Sequence, residues 1–144
     1  MKNILTAEKI MLNAKVASKE EAIRLAGNLL VQAGHVTAAY VEKMQEREQL
    51  ATTYIGSGVA IPHGTNESKQ EIQSTGISIV QVPEGVDFGD GNTAYLLVGI
   101  AAVGDEHLEV LSNIAIICSE EENVKRVVQA TSADEIIALF SEEV

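Results

Sequence analysis

Three histidines, His35, His63 and His107, and a single cysteine, Cys118, are the residues of this chain most able to do chemistry at neutral pH. His63 stands in "GVAIPHG", where a short apolar run enters a Pro-His-Gly corner. Pro62 fixes its own φ and lacks a backbone donor, while Gly64 lets the chain turn sharply and leaves room beside the imidazole. Strand ends in open α/β sheets are where ligand sites collect. A histidine held there suits a nucleophile or proton carrier, although an ordinary loop histidine after a turn accounts for the same residues. His107, in "GDEHLEVL", falls in the first turn of an expected helix with Gly104 or Asp105 near its cap. The positive end of the helix dipole would lie close to it and to any anion bound beside it. The apolar run "AYLLVGIAAV" delivers the chain to this point, so two histidines follow two expected strand ends and could converge on one site. Taken alone, His107 also reads as a surface histidine. His35, in "AGHVTA", sits between two expected helices and reads as a helix-end residue with no chemical role.

Arg47 supplies a third feature. Val36, Tyr40, Met44, Arg47 and Ala51 recur at helical spacing, which places Arg47 on the apolar, inward stripe and away from Glu42, Glu46 and Gln49. An inward guanidinium needs an anion. That anion is either an internal carboxylate, with 21 acidic residues on hand, or a visiting phosphate.

Other chemistries find little support. The histidines and the cysteine show no zinc spacing. "YIGSGVA" lacks both the P-loop lysine and the dinucleotide glycine pattern, "DFGDGN" carries the letters DFG without the rest of the kinase set, and Ser57 is not in a GxSxG elbow. Cys118 lies in "NIAIICSEE" and reads as a buried structural thiol.

The elements that must position these residues change type along the chain. Residues 18–33 open with Ser18 and Glu21, a capping box, and carry Ala22, Leu25, Ala26, Leu29 and Leu30 on one face; Gly34 is a natural stop. A second helix is expected from Thr37 to about Leu50. "GVAI" (58–61), "GISIVQV" (76–82) and "AYLLVGIAAV" (94–103) read as strands. The last is apolar on both faces and therefore central, and "PEGVDFGDGN" reads as the turn-rich connection before it. Helical period returns at His107, with Leu108, Leu111, Ile114, Ala115 and Cys118 as its stripe, and Ser132 with Glu135 caps a final helix. Together these predict an α/β fold: one domain, residues 1–144, with a mixed β-sheet flanked by helices on both faces.

Composition bounds the rest. At 144 residues and 46% hydrophobic content the chain is globular, long enough to bury about two-thirds of its unfolded surface. A net charge of -11 argues against nucleic acid as partner, since phosphate backbones require a basic stripe. One cysteine permits no internal disulfide, which fits a cytoplasmic protein. "MKNILTAEKIML" is too broken by polar residues for a signal peptide, and no run reaches the ~18 apolar residues of a membrane span.

The segment "MQEREQLATTYIGSGVAIPHGTNESK" closely resembles the active-site region of the mannitol/fructose-type enzyme IIA of the bacterial phosphoenolpyruvate-dependent sugar phosphotransferase system. "KEEAIRLAGNLLVQAGHVTAAYVEKM", "STGISIVQVPEGVDFGDGN", "YLLVGIAAVGDEHLEVLSNIA" and "TSADEIIALF" extend the resemblance over nearly the whole chain, and "PEGVDFG" and "DEHLEVL" are most like the mannitol type. The resemblance implies a stand-alone IIA domain without IIB or IIC, with His63 as the phosphorylated histidine and His107 and Arg47 as stabilisers of the phosphoryl group. It implies HPr as phosphoryl donor, a cysteine of a IIB component as acceptor, contact with membrane IIC only through IIB, and no cofactor or metal. Cys118 lies outside any IIB-like phosphate loop. A regulatory member of the same fold, whose phosphorylation controls a non-transport partner, and an anion-binding module without transfer are the alternatives. The sugar and the oligomeric state are not encoded in these motifs.

Overall fold

Ser18 accepts a hydrogen bond from the Glu21 backbone N–H at 3.2 Å and starts helix α1, Lys19–Gln32, as an N-cap serine does. Gly34, at φ +83°, carries the chain out of that helix through the left-handed region that glycine enters at no steric cost. The computed structural model describes residues 4–143; the first three residues of the stretch read against a signal peptide, and Val144, lie outside it. Helix α2 is Ala39–Leu50, and strands β1 (Ile10–Met11), β2 (Tyr54–Gly56), β3 (Val59–Ala60), β4 (Gly76–Gly89) and β5 (Asn92–Ala101) form one sheet. Helices α3 (Glu106–Ser119), α4 (Glu121–Gln129) and α5 (Ala133–Glu143) complete the chain. Short 3-10 turns cover Ala7–Lys9 and Asn66–Glu71.

The sheet order is β1-β4-β5-β3-β2. Strand β1 runs parallel to β4, β4 antiparallel to β5, β5 parallel to β3, and β3 antiparallel to β2. The sheet is therefore mixed, with β5 central. Alternation along β5 divides the core. Leu96, Val98 and Ile100 pack with Ile114 and Ile117 of α3, Val127 of α4 and Phe140 of α5. Leu97 and Ala101 pack with Ala26 and Leu30 of α1 and Met44 of α2. Helices thus cover both faces, as the apolar run 94–103 predicts.

Two expectations need correction. Residues 83–89 are not a loop: β4 continues through them, and the hairpin turn is Asp90-Gly91 alone, at φ +53° and +79°. Both turn residues need the left-handed region, and Asp-Gly is a preferred pair for such a two-residue loop. The Pro and Gly that suggested a connection mark an irregularity where the β4–β5 register shifts between Gln81 and Val86, the kind of position a strand allows proline. On α3 the buried face is Val110, Ile114, Ile117 and Cys118, whereas Leu108 and Ala115 face solvent. Helix α4, β1 and β2 were not foreseen; β1 and β2 span only two and three residues. Cys118 is buried, as expected, and burial pushes its thiol up to about 12.

His35, at the end of α1, has a structural role. Its Nε2 lies 2.7 Å from Nζ of buried Lys9, and its Nδ1 lies 2.8 Å from Ser74 Oγ. An ammonium can only donate, so Nε2 is the acceptor and Nδ1–H donates to Ser74. Burial, reinforced by Lys9, lowers the pKa of His35; burial first also lowers those of His63 and His107. The sign follows: unfolded histidines bind protons at about pH 6.5, before the folded ones do, so stability is present above that pH and declines as pH falls through it. Urea midpoints should therefore drop between about pH 7.5 and pH 5.5, and His35→Gln should flatten the drop. A midpoint constant over that range contradicts the arrangement.

Candidate active site

The Pro-His-Gly corner is stitched on both sides. Ile61 N–H donates to Thr53 O at 3.0 Å, and Ile100 N–H donates to Pro62 O at 2.9 Å. His63 pairs with Ile100 in an isolated parallel bridge. Tyr40, buried on α2, accepts from Gly64 N–H at 2.8 Å and donates to Ile100 O at 2.8 Å. A side chain on Gly64 would approach Tyr40 and Ser68 to 2.5 Å, so glycine is required there by space. Helical spacing marks Tyr40 only as a core residue; its hydroxyl, which must find partners when buried, is the signal that it ties the loop after His63 to the end of β5.

From Ala101 the chain turns at Gly104 into α3, where His107 is the second residue. The rings of His63 and His107 stand 5.6 Å apart between centroids, inclined at 62°. The two strand-end histidines therefore meet. His63 Nδ1 lies 2.7 Å from Ile61 O. A carbonyl only accepts, so the proton sits on Nδ1 and the lone pair on Nε2. Burial lowers the pKa of His63; the Ile61 contact and Glu48 oppose this, whereas Arg47 and His107 add to it. At pH 7 the ring is a neutral imidazole with Nε2 free as a nucleophile. His107 is likewise held neutral by burial and by the nearby Lys69 charge.

Arg47 lies within electrostatic reach of His63, but not on the face predicted for it. The buried residues of α2 are Tyr40, Val41, Met44 and Glu48. Four residues beyond Met44 the core position belongs to Glu48, and Arg47 sits half-buried at the margin, where its Nη1 donates to Ala51 O at 2.6 Å. Arg47 forms no ion pair among the described residues. Of the two anions expected for it, the internal carboxylate is not its partner, and the fork keeps donors to spare. Thr65 and Asn66, just past the corner, line two cavities: one of about 80 Å³ reaching His107 and Lys69, the other of about 510 Å³ reaching Arg47. An anion beside His63 would have cationic donors to both sides. No three His, Cys, Asp or Glu residues converge as metal ligands among the described residues.

The family model described as "Phosphoenolpyruvate-dependent sugar phosphotransferase system, EIIA 2" matches residues 3–143. The mannitol-specific phosphotransferase enzyme IIA component of Bacillus subtilis (strain 168) is 55% identical over 139 residues, 96% of this chain and 97% of that protein. Among solved structures, the complex of enzyme IIAMTL and phosphorylated enzyme IIBMTL from Escherichia coli matches with TM-score 0.90 and 42% identity, covering 96% of this chain and 97% of that one. IIA mannitol from Escherichia coli matches with TM-score 0.88 and 43% identity, covering 94% and 98%.

Proposed function

The chain belongs to the EIIA 2 family of the phosphoenolpyruvate-dependent sugar phosphotransferase system, and from that premise we propose that it is a mannitol-type enzyme IIA. It takes a phosphoryl group from phospho-HPr on His63 and passes it to a cysteine of a IIB component. The observation that carries the reading is the His63 ring: neutral, with Nδ1–H held by Ile61 O, Nε2 free and His107 across from it.

The transfer needs positioning and charge more than covalent work by other groups. The Nε2 lone pair of His63 forms the new N–P bond as the N–P bond of the donor histidine breaks, and the donor nitrogen recovers the electron pair. In the second half a IIB thiolate forms an S–P bond, the N–P bond to His63 breaks, and Nε2 regains its lone pair. The moving group carries about two negative charges, which Arg47 and His107 are suited to stabilise. Leu50, Val103 and Leu108 expose 77%, 43% and 73% of their surface and stand within four residues of Arg47 or His107 in sequence. They suit a face that two partner proteins occupy in turn. On this reading residues 1–144 act as one IIA unit in the cytoplasm, on the side from which HPr delivers phosphate. No helix among the described residues is long and apolar enough to cross a membrane.

Incubation with enzyme I, HPr and labelled phosphoenolpyruvate should place an acid-labile label on this chain, and adding a mannitol-type IIB should remove it. An acid-stable label, or none, contradicts the reading. In the same assay His107→Ala should fold normally, accept the label, and slow transfer to IIB about 10- to 100-fold, the range of one lost hydrogen-bond donor short of a main oxyanion contact. Transfer at the wild-type rate would remove His107 from its role.

A further inference from the structure

Directly after Arg47 comes a carboxylate that no part of the mechanism above uses. The Glu48 side chain is only 3% exposed, and a buried carboxylate is costly unless several donors meet it. Its Oε1 accepts from Thr53 N–H at 2.9 Å and from Thr53 Oγ1 at 2.7 Å. Its Oε2 has no hydrogen-bond partner, and the ammonium of Lys19, on α1, lies 3.6 Å away. Thr53 is not a terminus of this arrangement. Its carbonyl receives Ile61 N–H, and the carbonyl of Ile61 receives Nδ1–H of His63. Glu48, Thr53, Ile61 and His63 thus form one continuous chain of contacts ending on the ring nitrogen opposite the nucleophile.

Transfer gives that chain something to do. When Nε2 of a neutral imidazole bonds to phosphorus, no proton leaves Nδ1, so the ring itself becomes cationic. We propose that Glu48 is a positioning residue for His63: through Thr53 and Ile61 it holds the ring, and its negative charge balances the positive charge that the phosphorylated ring acquires. The inference rests on phosphotransfer at His63. It is supported by charge signs around the ring. Burial, Arg47 and His107 all disfavour a cationic His63, the Ile61 carbonyl favours it, and Glu48 is the one charged side chain that does so as well. Lys19 is the cation facing Glu48 from α1.

Glu48→Gln tests the charge while leaving an amide oxygen to accept both Thr53 donors. In the unphosphorylated variant the His63 ring, followed by NMR titration, should lose proton affinity by roughly half to one pKa unit. The equilibrium between phospho-HPr and the phosphorylated chain should move towards HPr by about three- to tenfold. A merely structural carboxylate would alter the melting midpoint and leave both readings unchanged; that result in a folded variant overturns the proposal. Should Glu48→Gln not fold, Lys19→Met provides the opposite sign: unscreened, Glu48 should raise the proton affinity of His63, and no change there overturns the proposal equally. The titration needs no phosphate. If the wild-type chain takes no label from phospho-HPr, phosphotransfer fails while the titration still decides whether Glu48 acts on His63.

Discussion

Replacing His63 with glutamine should leave the fold intact and reduce acceptance of phosphate from phospho-HPr by about 10⁴-fold or more, the usual consequence of deleting a nucleophile. Glutamine is of similar size and polar, so the half-buried corner keeps a side chain that can donate to Ile61 O. It has no basic nitrogen lone pair, since the amide nitrogen is delocalised into its carbonyl, and no N–P bond can form. Stability should be equal or slightly higher in mildly acidic solution. The folded His63 resists protonation because of its burial, so the wild-type ring contributes to the loss of stability as pH falls below about 6.5, and glutamine does not. Intact-mass measurement after incubation with the donor system reads the first effect, and urea midpoints at two pH values read the second. A phosphorylated His63→Gln protein would move the acceptor to another residue.

The segments that could be read without coordinates were those with one dominant signal. Ser18 with Glu21 announces α1, and ten successive weakly polar or apolar residues announce a strand covered on both faces. Two histidines after two strand ends could be placed near each other because an open sheet gathers such ends, and they meet at 5.6 Å. What failed were positions where two signals competed. Pro83 and Gly85 are turn residues by type, yet β4 uses them at an irregularity, and the alternation of buried Val86 and Phe88 about exposed Asp87 was the overlooked evidence of strand. On α2 an arginine and a glutamate adjoin, both unwelcome in a core. The spacing from Val36, Tyr40 and Met44 admits either residue at the inward position, and the stripe through Ala51 favours Arg47. The backbone gives that position to Glu48, because Thr53 folds back to satisfy it. No periodicity could reveal that, since the partner comes from a loop five residues on. His35 stands at a helix end, as its place after Gly34 implies, but its burial is not legible for a similar reason: its partners, Lys9 and Ser74, lie 26 and 39 residues away in sequence.

Arg47→Ala should slow both acceptance from phospho-HPr and delivery to IIB by about 10²- to 10³-fold, the range found when one well-placed charge-stabilising donor is removed. The guanidinium has no carboxylate partner among the described residues, so removing it leaves no buried anion uncompensated, and only its bond to Ala51 O is lost. The thermal midpoint should fall by no more than a few degrees, consistent with about 1 kcal/mol for such a contact. Arg47→Lys keeps the charge but not the planar fork, and about a tenfold deficit is expected for it. A second reading separates electrostatics from misfolding. Because Arg47 now disfavours a proton on His63, Arg47→Ala should raise the proton affinity of that ring, opposite in sign to Glu48→Gln. The two neighbours on α2 would then act on one imidazole from opposite sides of neutrality, Arg47 favouring the incoming dianion and Glu48 the ring that carries it. Transfer near the wild-type rate in a folded Arg47→Ala protein would leave the dianion to His107 and the backbone alone.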